Sequence, residues 1–109
     1  MRTTSYGRVD ALAQTGELSI PLVIIKNSIE NVTIPYIGFI PGLLMKNING
    51  YTVDECKAKL KEYLIKKLKI MKANEEPFPF FPTKEEILKE YDNVELVEFV
   101  KITSSDRKN

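Results

Sequence analysis

Asn49-Gly50-Tyr51-Thr52-Val53-Asp54-Glu55-Cys56 leads into KAKLKEYLIKKLKIM, residues 57–71, and this stretch decides the fold. Thr52 and Glu55 have the spacing of a capping box, in which a hydroxyl and a carboxylate satisfy the free backbone donors of a first helical turn. Val53, Cys56, Leu60, Tyr63, Leu64, Leu68 and Met71 recur at three- and four-residue steps and form one apolar stripe. The other face carries Lys57, Lys59, Lys61, Lys66, Lys67, Lys69 and Lys72 against Asp54, Glu55 and Glu62. Acids at the start and lysines toward the end match the helix dipole. The spacing therefore predicts one long amphipathic helix opening at Thr52. Its lysine face reads as solvated, since it has no arginine to fork onto phosphate. Residues Ala73 to Glu98 carry eight acids and two lysines, enough to neutralise that face across the fold.

Upstream, IPLVIIK (residues 20–26) is a β-branched strand pattern ending in the turn-like NSIEN. VTIPYIGFI places Val32, Ile34, Tyr36, Gly38 and Ile40 on one parity, as in a half-buried strand. Pro35 removes a ladder donor, which calls for an edge strand or a bulge. Pro41-Gly42 marks a bend, LLMKNI reads as a third short strand, and Asn49-Gly50 reads as the turn that closes it.

Downstream, Glu75 to Pro82 read EEPFPFFP, where alternating Pro and Phe forbid a helix and favour an extended path across the domain surface. Thr83-Lys84-Glu85-Glu86 is a second capping box opening a helix of about two turns. VELVEFVKI, residues 94–102, is apolar on both parities and reads as a strand covered on most of both faces. The order is β-β-β-α-(short α)-β, and a strand reached through a helix is expected to return by crossover, parallel to the first. The predicted fold is therefore α+β, a mixed sheet with one long helix on one face. Residues 1–19 are read as a loosely ordered extension, 20–103 as the domain and 104–109 as a solvated tail.

A chain of 109 residues is one domain's length. Apolar residues at 43% and charged residues at 28% exclude wholesale disorder. Sixteen basic against fifteen acidic side chains leave a net charge of +1, so affinity for nucleic acid cannot come from overall charge. The lone cysteine, Cys56, excludes an intrachain disulfide and suits a reducing cytosol. Its place on the apolar stripe marks it as a buried structural thiol.

There is no histidine, which removes the commonest general base, the commonest metal ligand and every Ser-His or Cys-His pair. The glycines lack nucleotide-binding spacing. Glu75-Glu76 and Glu85-Glu86 are adjacent pairs, and neighbours on a helix face different ways. No catalytic residue, metal or cofactor is expected. The uncharged run Asn31 to Met45 is too short for a bilayer and is broken by Pro35, Gly38, Pro41 and Gly42. A cytoplasmic protein without a membrane segment is expected.

From Ile20 onward, the succession IPLVIIK, VTIPYIGF, IPGLLM, NGYTVDEC, KAKLKEYLIKKLK, PFPFFPTKEEI and VELVEFVKI resembles the HicB-like antitoxin family of bacterial toxin–antitoxin systems. Ile40, Pro41 and Leu43 fall on that family's bend, and Gly50, Thr52 and Glu55 on its helix start. Gly42, Leu44-Met45 and Tyr51 depart from its pattern. The resemblance implies a degenerate RNase H-like β-β-β-α-β domain that blocks a small HicA-type mRNA interferase toxin by occlusion, without chemistry. Its partner would be a small basic protein. The alternative is a stand-alone regulatory or RNA-associated protein of the same fold with no toxin partner.

Apolar and aromatic anchors dominate such contacts, and the candidates are Pro41, Leu43, Tyr51, Phe78 and Phe80. An edge strand and a Phe-rich flank predict a homodimer. Many family members carry a DNA-binding module after the last strand. Here seven residues follow Ile102, and duplex DNA binding by this chain alone is not expected.

Overall fold

The computed structural model describes residues 16–27 and 34–103. The elements are β1 (Glu17–Lys26), β2 (Tyr36–Phe39), β3 (Ile48–Gly50), α1 (Val53–Asn74), α2 (Lys84–Glu90) and β4 (Val94–Thr103). They form an α+β fold with one four-stranded sheet, ordered β3-β2-β1-β4, and two helices. Residues 1–15 of the expected extension, 28–33 of the expected first turn and second strand, and the tail 104–109 lie outside the described residues.

Several strand expectations need correction. The sheet is antiparallel throughout, because β4 runs antiparallel to β1 from Glu17↔Thr103 to Ile25↔Val94, so the mixed sheet is not found. The third strand starts at Ile48 and includes Asn49 and Gly50, while Leu44 in the preceding loop is 99% exposed. Gly42 makes the turn there at φ 103°, a backbone conformation open to glycine, and the Met45 thioether accepts from the Ile40 N–H at 3.3 Å. Finally, β4 is an edge strand in which only Ile102 is buried, not a strand covered on both faces.

β1 is the strand buried on both faces. Leu18, Ile20 and Leu22 point to the α1 side, where they join Ile40, Leu60, Leu64, Met71, Phe78 and Ile102 in one core. Pro21 and Val23, of the other parity, are also fully buried. Pro21 is tolerated in this central strand because β2 pairs only with Val23 through Lys26, leaving Pro21 with β4 as its one neighbour. Pro35, expected to mark an edge or a bulge, instead lies just ahead of β2, and its carbonyl accepts from the Asn27 N–H at 2.6 Å. β1 begins at Glu17, three residues ahead of the expected start at Ile20.

Both helices are capped by local chemistry. The Thr52 hydroxyl accepts from the Glu55 N–H at 3.0 Å, while the Glu55 carboxylate accepts from the N–H of Tyr51, at 2.7 Å, one residue before the cap. In α2 the box is reciprocal: the Thr83 hydroxyl accepts from the Glu86 N–H at 3.2 Å, and the Glu86 carboxylate from the Thr83 N–H at 2.9 Å. α1 ends on Glu75 in the left-handed region at φ 53°, with Glu75 N–H and Glu76 N–H bonded back to the Lys72 and Met71 carbonyls.

The direction of β4 follows from counting traverses of the sheet. Gly50, at the end of β3, pairs with Tyr36, which pairs with Lys26 at the end of β1. α1 leaves from that end and returns to the start of β1, where Met71 joins Leu18 and Ile102. The linker turns there, beside Glu17, Leu18 and Ser19. α2 then carries the chain back, so that Asn93 accepts from the Lys26 N–H at 2.9 Å. Tyr91, closing α2, packs its ring 4.9 Å from that of Phe39, the register partner of Val23, which places α2 over the second face. Two helical traverses separate β3 from β4, so β4 enters opposite to β1.

Candidate functional site

The five candidate contact residues divide into two groups at opposite ends of the sheet, plus one residue in the core. Pro41 and Leu43 follow the C-terminal end of β2, where Gly42 abuts the Phe81 ring. Tyr51 follows β3, paired with the start of β2, and is 56% exposed. A four-residue strand, about 13 Å long, stands between them.

Phe78 is 3% exposed and belongs to the core, which corrects its assignment as a surface anchor. Phe81 is packed against the same core, whereas Phe80 is 58% exposed. The inward side chains are therefore three residues apart, the repeat of a polyproline-type path, and that period was the signal in the sequence for separating Phe78 from Phe80.

Phe80, Phe81, Pro82, Thr83 and Lys84 line an open groove of about 360 Å³ with Glu17, Leu18, Ser19 and Phe99. Phe99 was not among the candidates, and its 37% exposure follows from the edge position of β4, a tertiary property. α2, which starts at this groove, exposes Glu85, Glu86 and Glu90. The lining of the groove is mainly aromatic and aliphatic, with one acid, Glu17, and one base, Lys84.

On the α1 side, Glu98 of β4 lies between Lys57, at 2.8 Å, and Lys61, at 3.0 Å. The Lys57 ammonium, and then Lys61, hold the Glu98 carboxyl below its ordinary value of 4.5, and Glu98 raises Lys57 above 10.5. The backbone N–H of Tyr51, followed by Lys59, lowers Glu55 in the same way. A depressed carboxyl stabilises the fold above its unfolded value and loses that contribution as pH falls through its folded value. Stability is therefore expected to drop below about pH 4.5. Glu98→Gln should flatten that drop in thermal melts run from neutral pH to about pH 3, with Lys57 adding no dependence until the alkaline range.

Lys59 donates to the Asn49 carbonyl at 3.2 Å as well as pairing with Glu55, and Lys67 reaches Glu76 at 4.0 Å. The lysine face is thus partly neutralised by nearby acids. Cys56 is fully buried, and its thiol donates to the Ile48 carbonyl at 3.4 Å. Burial, the largest influence, pushes that thiol above its ordinary value of 9.0. Among the described residues no three Cys, Asp or Glu side chains are grouped to hold a metal ion, and no helix is long and apolar enough to cross a membrane. The chain matches no protein-family model, no curated protein and no solved structure.

Proposed function

We propose that this chain is a non-enzymatic, antitoxin-like binding module that occludes a small basic protein, of the HicA-type mRNA interferase class that the sequence resemblance implies. The observation that carries the reading is Phe80, a phenylalanine 58% exposed at an aromatic groove. An aromatic side chain held out by a proline-bound linker is the kind of anchor that dominates a contact once desolvated. Glu85 and Glu86, exposed in the first turn of α2 next to the groove, give a basic partner two carboxylates to approach. The reading rests on these side chains and not on strand direction, since the sheet is antiparallel where a mixed one was expected.

The test is capture from the native host with the full chain as bait, followed by calorimetry against the captured protein. A small basic protein should be recovered. Phe80→Ala should weaken its binding by about 2 kcal/mol, and Lys66→Ala, an exposed charge, by well under 1 kcal/mol. Tyr51→Ala, at the far end of the sheet, should resemble Lys66→Ala if the contact centres on the groove. Recovery of no small basic protein, or equal losses for Phe80 and Lys66, defeats the proposal.

A further inference from the structure

Within the sheet order β3-β2-β1-β4, the outer edge of β4 is ten residues long and, among the described residues, lies against no other strand. An edge of that length presents a row of backbone donors and acceptors to any strand able to meet it. Its sequence is V94-E-L-V-E-F-V-K-I-T103. Around Glu98 this reads nearly the same in both directions: Val97 mirrors Phe99, Leu96 mirrors Val100, and Glu95 mirrors Lys101.

We propose that β4 pairs antiparallel with β4 of a second copy of this chain, about a two-fold axis through Glu98, to give one continuous eight-stranded sheet. In a symmetric antiparallel pair, side chains that meet must lie on the same face, so only registers centred on a residue are open. Centring on Glu98 sets Val97 against Phe99, Leu96 against Val100, and Glu95 against Lys101 of the other copy, each contact occurring twice. Centring on Val97 sets Leu96 against Glu98 and Glu95 against Phe99. Centring on Phe99 sets Val97 against Lys101 and Glu98 against Val100. The charges at 95 and 101 therefore do not block the edge, since they select one register.

The axis brings the two Glu98 side chains together, and each is already flanked by Lys57 and Lys61 at 2.8 and 3.0 Å. Four lysines thus surround two carboxylates, and the like-charge contact is neutralised. Room for the long helix is also present. α1 packs on β1, β2 and β3, and β1 would stand three strand spacings, about 14 Å, from its copy. That exceeds the 8–10 Å at which two helices pack, about the closest they approach. Glu95 sits in a bulge, opposite neither Ile24 nor Ile25, and it marks the end of the pairing. Lys101 has Glu17 at 3.6 Å within its own chain, with both side chains more than half exposed, and so remains within reach of a second acid.

This inference is independent of any toxin partner, and its test uses the chain alone. A seven-residue strand pairing is a small interface, so the wild type should sediment as a dimer at about 100 μM and dissociate on dilution. Glu95→Lys and Lys101→Glu, each prepared alone, place like charges at both symmetric contacts. Each should weaken self-association by on the order of tenfold or more. An equimolar mixture of the two variants restores opposite charges at both contacts and should form a heterodimer, read by sedimentation with one variant labelled. A variant that failed to fold would not pair in the mixture, and circular dichroism of each alone identifies that case, for which Glu95→Gln with Lys101→Gln then serves as the milder pair. A monomeric wild type at that concentration, or a dimer indifferent to both charge reversals, overturns the proposal.

Discussion

Gly50→Ala is expected to destabilise the fold by about 3 kcal/mol, the upper end of overpacking effects. A Cβ at position 50 would stand 2.8 Å from both the Cβ and the backbone nitrogen of Cys56, and 2.9 Å from its Cα. Those atoms belong to the first turn of α1, fixed by the Thr52 cap and by the Cys56 N–H bonded to the Thr52 carbonyl at 3.0 Å. Backbone that is hydrogen-bonded in a helix cannot step aside, so the clash has to be relieved by shifting β3 or the whole helix.

Gly38→Ala is the informative contrast. Its Cβ would meet the Cys56 thiol sulfur at 2.8 Å and a Leu60 methyl at 3.3 Å, both side-chain atoms. Its cost should be smaller, and Cys56→Ala in the same chain should recover part of it, whereas Cys56→Ala should do little for Gly50→Ala. Urea unfolding midpoints of the wild type, Cys56→Ala, the two glycine variants and the two double variants measure this, provided the slopes agree. Equal costs at positions 38 and 50 would show that the helix start is free to move.

Leu60→Ala should cost about 3–4 kcal/mol by the same measurement, the range for a buried leucine truncated in a core that relaxes only partly. Leu60 is fully buried on the apolar stripe of α1, in one core with Leu64 and Met71 of the same helix and with Leu18, Ile20 and Leu22 of the sheet. Leu88→Ala is the matched control. Leu88 lies on α2 and is 50% exposed, so its truncation should change stability by less than about 1 kcal/mol. A loss at Leu60 no larger than that at Leu88 would mean that α1 does not supply the core of this domain.

What was legible in the chain alone was what neighbouring residues settle among themselves. Thr52 with Glu55, and Thr83 with Glu86, fix the starts of the two helices by hydrogen bonds spanning three or four residues. The three- and four-residue repeat from Cys56 to Met71 fixes which side of α1 is buried. The β-branched run of residues 20–26 marks β1 as a strand, although coverage on both faces was expected of β4 and is found at β1.

The tertiary structure decided everything that depends on how many times the chain crosses the sheet and on what it then meets. β4 is antiparallel because the seven-residue α2 makes a second traverse, so the crossover expected from a single helix does not occur. Phe78 is buried and Phe80 exposed because the core lies on one side of an extended linker, a fact about neighbours far apart in sequence. Tyr51 and Phe80, alike as aromatic anchors on paper, are parted by the length of β2. Local hydrogen bonds and periodicity are properties of a few adjacent residues, whereas strand direction, exposure and the grouping of a site are set by contacts that only the closed chain brings together.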